Sequence, residues 1–109
     1  MKNSIIFVLL MLYVPTSTYA WDGTTLGTIS HIEVTAGSNY AFRIALEDSP
    51  VLCGNDHTWA YVNESDSNYQ IYVAALLSAY MAKKGVSIYT TKETSSGEEY
   101  CHIGHIALH

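Results

Sequence analysis

The last ten residues, YCHIGHIALH, hold the densest group of side chains that could bind a metal ion. His102, His105 and His109 follow directly after Cys101. Zinc needs three or four ligands that converge at about 2 Å. Successive side chains of a regular strand point to opposite faces, so His102 and His105 would be separated. His105 and His109 would share a face but stand roughly 13 Å apart.

A metal site in this segment would therefore need help from elsewhere in the fold. His31, His57 or a carboxylate would have to approach the segment, or the backbone would have to be irregular at Gly104. The strand pattern predicts neither arrangement. We predict no metal ion and interpret YCHIGHIALH as the closing strand of the fold.

The sequence contains no more convincing site for nucleophilic catalysis than it does for metal binding. The serines and threonines cluster in turns, and no Gly-x-Ser-x-Gly turn is present to expose a nucleophile. The paired acids Glu98 and Glu99 would face opposite ways on a strand and are interpreted as part of a solubilising turn. Because no nucleophile, base and orienting group can be identified together, the sequence predicts no enzyme and no cofactor.

The first twenty residues, MKNSIIFVLLMLYVPTSTYA, follow the three-part plan of a secretory signal peptide. An apolar run follows Lys2, and its length is about half of the roughly 20 residues that span a bilayer. Thr18 and Ala20 are small residues at the positions that a signal peptidase reads. We predict cleavage before Trp21 and a secreted or periplasmic protein with no membrane insertion after cleavage.

The remaining segment, 21–109, suffices for a single small domain. Loss of Lys2 leaves four basic residues against ten acidic ones, which lacks the basic footprint of a nucleic-acid-binding protein. Cys53 and Cys101 both lie in this segment, and an even count in an oxidising compartment predicts a disulfide. Two free thiols are the alternative.

Hydrophobic periodicity predicts five strands and one helix in the order β-β-β-α-β-β. The strands are TLGTISHIEV, YAFRIAL, HTWAYV, VSIYTT and CHIGHIAL, with TAGSN as a hairpin connection and KETSSGEE as a polar turn. The helix precedes Gly85, and Ser65, Asp66 or Ser67 can cap its start. The pattern assigns these side chains to the core: Tyr40, Phe42, Ile44 and Leu46 on the second strand, and Tyr69, Val73, Leu76, Leu77 and Tyr80 on the helix.

This order predicts a mainly β fold, namely a five-stranded OB-like Greek-key barrel with one helix between strands three and four. A chain of this size can bury an amphipathic helix by placing it over the open end of a curled sheet. An open α+β sheet that carries one helix is the alternative.

Several segments resemble a group of small secreted bacterial proteins of uncharacterised function. They are the start of the mature chain, WDGTTLGTISHIEV, the helical segment LLSAYMAKKGVSIY, and the two cysteines, the second followed by HIGHIAL. The layout is in turn similar to the OB-fold B subunits of secreted toxins of the subtilase-cytotoxin and pertussis-like groups. That second resemblance is one of topology, and it implies a pentamer that binds host glycans.

The aromatic residues suggest a binding surface. Trp59, Tyr61 and Tyr89 lie on short predicted strands with one face open to solvent, and aromatic rings with polar tips suit sugars and protein surfaces. The first hypothesis is a secreted, non-enzymatic binding module for a glycan or a protein surface, which could form a homo-oligomer. The alternative is a small periplasmic or envelope structural or partner-binding protein with no small-molecule ligand, whose aromatic residues would be mostly buried.

Overall fold

The computed structural model describes residues 21–54 and 56–109, and the predicted signal peptide lies outside them. The described residues form five strands and one helix. Their bounds are β1 (Gly23–Val34), β2 (Phe42–Leu46), β3 (Trp59–Val62), α1 (Tyr69–Ala82), β4 (Gly85–Ser95) and β5 (Glu98–Leu108). The helix lies between β3 and β4, which matches the predicted order of elements.

The five strands close into a barrel in the order β1-β2-β3-β5-β4, with β4 pairing back to β1. Neighbouring strands are antiparallel except β3 and β5, whose parallel pairing places Tyr61 opposite His102. The fold is therefore mainly β, and the alternative of an open sheet is wrong. Closure also means that none of the described strands has a neighbour on one side only.

Apolar side chains that alternate along the strands fill the barrel. Phe42 and Ile44 of β2 are 3% and 1% exposed, and they pair with Val62 and Ala60 of β3, which are both fully buried. Leu76 of α1 is also fully buried. Burial of this apolar surface is the main source of stability and holds one side of the helix against the barrel.

The helix begins later than predicted and without a side-chain cap. Its N-cap residue is Asn68, which has a left-handed φ of 63°, and no side chain bonds to the first turn. Ser65, Asp66 and Ser67 are therefore not caps. The Asp66 carboxylate instead accepts a hydrogen bond from the backbone N–H of Asn63, at 2.8 Å, which closes a turn before the helix.

The end of the helix and two core assignments also differ from prediction. Lys83, with a φ of 57°, ends the helix, and Gly85 is already the first residue of β4. Leu77 is 41% exposed because the helix carries more apolar side chains than the barrel can cover. Tyr40 precedes β2, which begins at Phe42, and its left-handed φ of 62° takes it out of the strand alternation.

The predicted polar turn KETSSGEE is much tighter in the structure. β4 continues to Ser95 and β5 starts at Glu98, so that only Ser96 and Gly97 connect them. Both have positive φ, 53° and 82°, as two-residue hairpin turns of type I′ require. The result is a long β4–β5 hairpin that extends beyond the predicted strands.

A β-bulge at Gly104 changes the facing of β5. Thr90 pairs with Ile103 and Tyr89 pairs with His105, so that β5 has one more residue than β4 across this step. Ile103 is 2% exposed, and the next side chain to pack on the core is that of Ile106. The predicted separation of His102 and His105 is therefore wrong, because the bulge places both on the outer side of the barrel.

Cys53 and Cys101 form the predicted disulfide, with their Cα atoms 5.7 Å apart. Both cysteines are almost fully buried. The bond ties the long loop before β3 to β5, and the described residues contain no free cysteine. The alternative of two free thiols is therefore wrong.

Candidate functional site

An aromatic surface covers the outer side of the barrel where β2, β3 and β5 meet. Alternation along β3 sends Ala60 inward and its two neighbours outward. A loop residue before β2, another before β3 and one from β5 complete the group. We call this group the aromatic face, and it consists of Tyr40, His57, Trp59, Tyr61 and Tyr100.

Tyr100 lies at the centre of a stack of rings. Its ring is stacked with Tyr40, with a centroid distance of 4.6 Å, and with His57, at 5.5 Å. Trp59 approaches the same Tyr100 ring at 5.8 Å and meets His57 edge-on at 5.4 Å. Contacts of this kind add about 0.5–1.5 kcal/mol each beyond burial. The stack is therefore held in place before any ligand arrives.

Arg43 of β2 brings a positive charge to this surface. Its guanidinium carbon lies 4.3 Å from the centre of the Trp59 ring. The same group donates hydrogen bonds from Nε and Nη2 to the Tyr40 carbonyl oxygen, at 3.0 and 2.8 Å. The Tyr40 backbone N–H in turn donates to the side-chain oxygen of Asn63, at 2.9 Å. These contacts fix the loop that supplies Tyr40.

Tyr61 forms the floor of the aromatic face. It is 1% exposed although it projects from the outer side of β3, because neighbouring rings cover it. The Tyr40 ring meets it edge-on at 4.7 Å, and the His102 ring stacks on it at 5.0 Å. Burial, followed by the negative charge of Glu93, raises the pKa of Tyr61 well above its ordinary value. The predicted residue Tyr61 thus supports the surface from below and cannot contact a ligand broadly.

His102 links the aromatic face to two carboxylates. In its protonated form it donates from Nε2 to Asp66 Oδ2 at 2.7 Å and from Nδ1 to Glu93 Oε2 at 3.1 Å. Burial lowers the pKa of His102, but the hydrogen bonds and charges of Asp66 and Glu93 outweigh burial and raise it above 6.5. The group therefore joins β4 and β5 to the turn before α1.

Tyr89, the third predicted site residue, lies in a different group. It pairs with His105 across β4 and β5, and their rings meet edge-on at 4.8 Å. The Trp21 ring lies 5.7 Å from Tyr89 and rests against Gly104, where an added Cβ would come within 2.6 Å of it. The structure thus brings Trp59 and Tyr61 together and leaves Tyr89 in a separate cluster.

A shallow, open hollow of about 370 Å³ adjoins the aromatic face. His57 belongs to both. The other side chains around the hollow are mostly acidic or small and come from the loop before β3 and the tip of the β4–β5 hairpin. They are Asp56, Thr94, Gly97, Glu98 and Glu99. The surface therefore combines stacked rings, one guanidinium and an acidic margin.

The sequence did not single out Tyr40, Arg43, His57 or Tyr100 as site residues. Arg43 lies on the second strand between the buried residues Phe42 and Ile44 and is itself only partly buried. Tyr100 lies between the predicted turn KETSSGEE and the predicted strand CHIGHIAL, and its position opposite Glu93 follows only from the hairpin register. The assembly of these residues depends on the closure of the barrel between β3 and β5, which pattern reasoning does not give.

Metal-binding clusters and membrane-spanning helices are both absent from residues 21–54 and 56–109. These residues contain no group of three or more His, Cys, Asp or Glu side chains arranged to hold a metal ion. Both ring nitrogens of His102 are directed at carboxylate oxygens. Within the same residues no helix is both long and apolar enough to cross a membrane.

Comparisons with protein-family models, with curated proteins and with solved structures gave no match.

Proposed function

We propose that this chain is a secreted, non-enzymatic binding module that recognises a glycan or a protein surface through its aromatic face. The observation that carries the proposal is the stack of Tyr40, Tyr100 and His57 beside the Arg43–Trp59 pair. Tyr, Trp and Arg are the residue types that supply most binding energy at recognition surfaces. Because these side chains already contact one another, little conformational freedom is lost when a ligand binds.

The position of the aromatic face supports the proposal independently. We infer that the barrel is an OB-fold, a five-stranded Greek-key barrel. OB-folds bind ligands on the face of strands 2 and 3 and through the loops that join strands 1–2 and 4–5. The aromatic face takes Trp59 and Tyr61 from β3, lies beside Arg43 of β2 and receives Tyr40 from the β1–β2 loop. It also adjoins a hollow that includes Gly97 of the β4–β5 turn. The similarity in topology to toxin B subunits remains part of this proposal, without the pentamer that the resemblance implies.

The orientation of the rings favours a protein surface over a glycan. Stacking on a sugar requires an open ring face. Both sides of Tyr100 are occupied, by Tyr40 and His57, and one side of Trp59 is covered by Arg43. The surface also carries the Arg43 guanidinium and an acidic margin, which suit the side chains and backbone of another protein.

Export to an oxidising compartment is the setting we propose for this activity. The buried Cys53–Cys101 disulfide supports it, because such bonds persist mainly in secreted and periplasmic proteins. The alternative function, a structural envelope protein without a small-molecule ligand, is favoured by one observation, the burial of Tyr61.

Two matched tyrosine substitutions test the proposal. The exported, disulfide-bonded protein is applied to a glycan array and used to recover proteins from the native secretome, and each hit is then titrated against purified protein. Tyr100→Ala removes the centre of the stack and should weaken binding by about 30-fold or more, as expected of a hot-spot residue. Tyr89→Ala removes another partly buried strand tyrosine, from the other cluster, and should change affinity by less than about threefold.

Circular dichroism and thiol titration check that both variants keep the fold and the disulfide. A ligand that binds the two variants equally well would place recognition elsewhere and contradict the proposal. Equal loss in both variants would indicate a general effect on the barrel and would also contradict it.

A further inference from the structure

The outer side of α1 is an apolar surface that the barrel leaves uncovered. The segment Tyr69–Ala82 contains no charged residue. Ile71, Leu77 and Met81 are 68%, 41% and 77% exposed. A surface helix of a globular protein ordinarily carries charged residues on the side away from the core, whereas a helix that is apolar all round is ordinarily buried. Contiguous exposed apolar groups of this kind mark interaction surfaces.

The exposed side chains form a stripe along the helix. Ile71, Ala74, Ser78 and Met81 follow the spacing that keeps residues on one side of a helix, and all four are exposed. The eleven residues from Ile71 to Met81 span about 15 Å. Ala74 and Ser78, in the middle of the stripe, are small, so that a second helix could approach closely. The large side chains of Ile71 and Met81 lie at its two ends.

The charges at the two ends of this stripe are opposite. Glu64 and Ile71 line the same depression of about 410 Å³ at the start of the helix. Lys84, which is exposed, follows the end of the helix three residues after Met81. An acidic group therefore adjoins the first large side chain of the stripe and a basic group adjoins the last.

We propose that a second copy of this chain covers the stripe, with the two α1 helices antiparallel about a two-fold axis. In this arrangement Met81 of the partner subunit enters the depression beside Ile71, and Glu64 of each copy lies near Lys84 of the other. The antiparallel orientation also aligns the helix dipoles favourably. A parallel pair would instead bring like charges together at both ends.

The net charge of the chain supports this choice of surface. With five basic and ten acidic residues, the chain has a net charge of −5, and two copies repel each other over most of their surfaces. The stripe carries no charge. It is flanked by carboxylates, Glu64 and Asp66, at one end and by lysines, Lys83 and Lys84, at the other, so it is self-complementary, as an interface across a two-fold axis must be. None of its residues belongs to the aromatic face, so the dimer would present two copies of that surface.

Light scattering coupled to size-exclusion chromatography tests the interface on the exported, disulfide-bonded protein over a range of concentrations. We expect a dimer, and we expect Ile71→Glu and Met81→Glu each to weaken dimerisation by about 100-fold or more, because a charge would be buried. Val51→Glu is the matched control, an exposed apolar residue outside the helix, and should leave the dimer intact. All sites are exposed, so folding should be retained, which circular dichroism checks.

A charge exchange tests the orientation. Glu64→Lys and Lys84→Glu each place like charges at both ends of an antiparallel pair, and each should weaken the homodimer by about tenfold. Mixing the two variants restores opposite charges at both ends and should restore the wild-type affinity as a heterodimer. A wild-type monomer, a ring of higher order, a dimer indifferent to the stripe variants, or mixing without recovery would each overturn the proposal. All of these outcomes leave the test of the aromatic face unaffected.

Discussion

His102 joins parts of the chain that are distant in sequence. It reaches Asp66 in the turn before the helix, Glu93 on β4 and the ring of Tyr61 on β3. Its pKa is raised in the folded protein, since the two carboxylates outweigh the effect of burial. The folded state therefore binds a proton more tightly at His102 than the unfolded state does, and the stability of the fold is linked to pH.

The protonation of His102 should make the free energy of unfolding depend on pH. A raised folded pKa contributes stability that is fully present below the unfolded value of 6.5 and is lost as the pH rises through the folded value. The free energy of unfolding should therefore fall as the pH is raised above about 6.5. The His102→Gln variant should not show this pH dependence. At lower pH its free energy of unfolding should be smaller than that of the wild type by about 1–3 kcal/mol, because it lacks the charged hydrogen bonds of His102.

Urea titrations at a series of pH values measure this effect. His31→Gln is the control, because His31 is more than half exposed and lies 3.9 Å from a Glu33 carboxylate that is equally exposed. The His31→Gln variant should leave the pH dependence of the free energy of unfolding unchanged. A wild-type slope retained in His102→Gln would mean that the Asp66–His102–Glu93 group does not contribute as described.

The same residue shows where alternation along a strand fails as a guide. A strict period of two separates His102 from His105, whereas the bulge at Gly104 brings both to the outer side. The glycine itself was the available signal, because glycine within a strand often marks a bulge or a close approach. Here it permits both the bulge and the contact with Trp21. The position of the bulge depends on the register between β4 and β5, which the sequence of β5 alone does not determine.

At the scale of elements, the disulfide compensates for the short β3–β5 connection. β3 has only four residues, and its backbone pairing with β5 joins Tyr61 to His102. The Cys53–Cys101 bond ties the loop before β3 to β5 one residue from that pairing. The disulfide and the aromatic face thus both hold β3 and the loop before it against β5.

Removal of the disulfide should therefore be costly. In the chain-entropy model, a loop of 48 residues contributes about 4 kcal/mol. We expect the Cys53→Ala/Cys101→Ala variant to lose stability of this order, a large fraction of the total for a small domain. Urea unfolding with reduced wild-type protein as a comparison measures it. A loss below about 1 kcal/mol would contradict the role given to this bond.

The elements were predictable to different degrees for physical reasons. The helix and the β1–β2 hairpin follow from periodicity and turn residues, and the structure contains both. The helix caps were not predictable, because Asn68 and Lys83 adopt left-handed conformations that nothing in their side chains demands. The tight Ser96–Gly97 turn was hidden because polar residues on an exposed hairpin resemble a loop.

At the scale of the whole molecule, closure of the barrel determines what can act as a site. The parallel pairing of β3 and β5 brings Trp59 and Tyr61 beside Tyr100, residues that the linear pattern assigns to unrelated segments. The same closure leaves Tyr89 with Trp21 and His105. The class of fold could be inferred from element order, whereas the composition of the aromatic face depends on which strands become neighbours.

Photo-crosslinking from two positions on the barrel tests whether the protein recognises its ligand through the aromatic face. A benzophenone side chain is introduced at Glu98, on the hollow beside His57, or at Thr24, an exposed residue that pairs with Tyr89. Each exported protein is irradiated in native culture medium and on immobilised glycans. We expect a discrete adduct from Glu98 and none from Thr24. Adducts from Thr24 alone, or equal adducts from both positions, would contradict it.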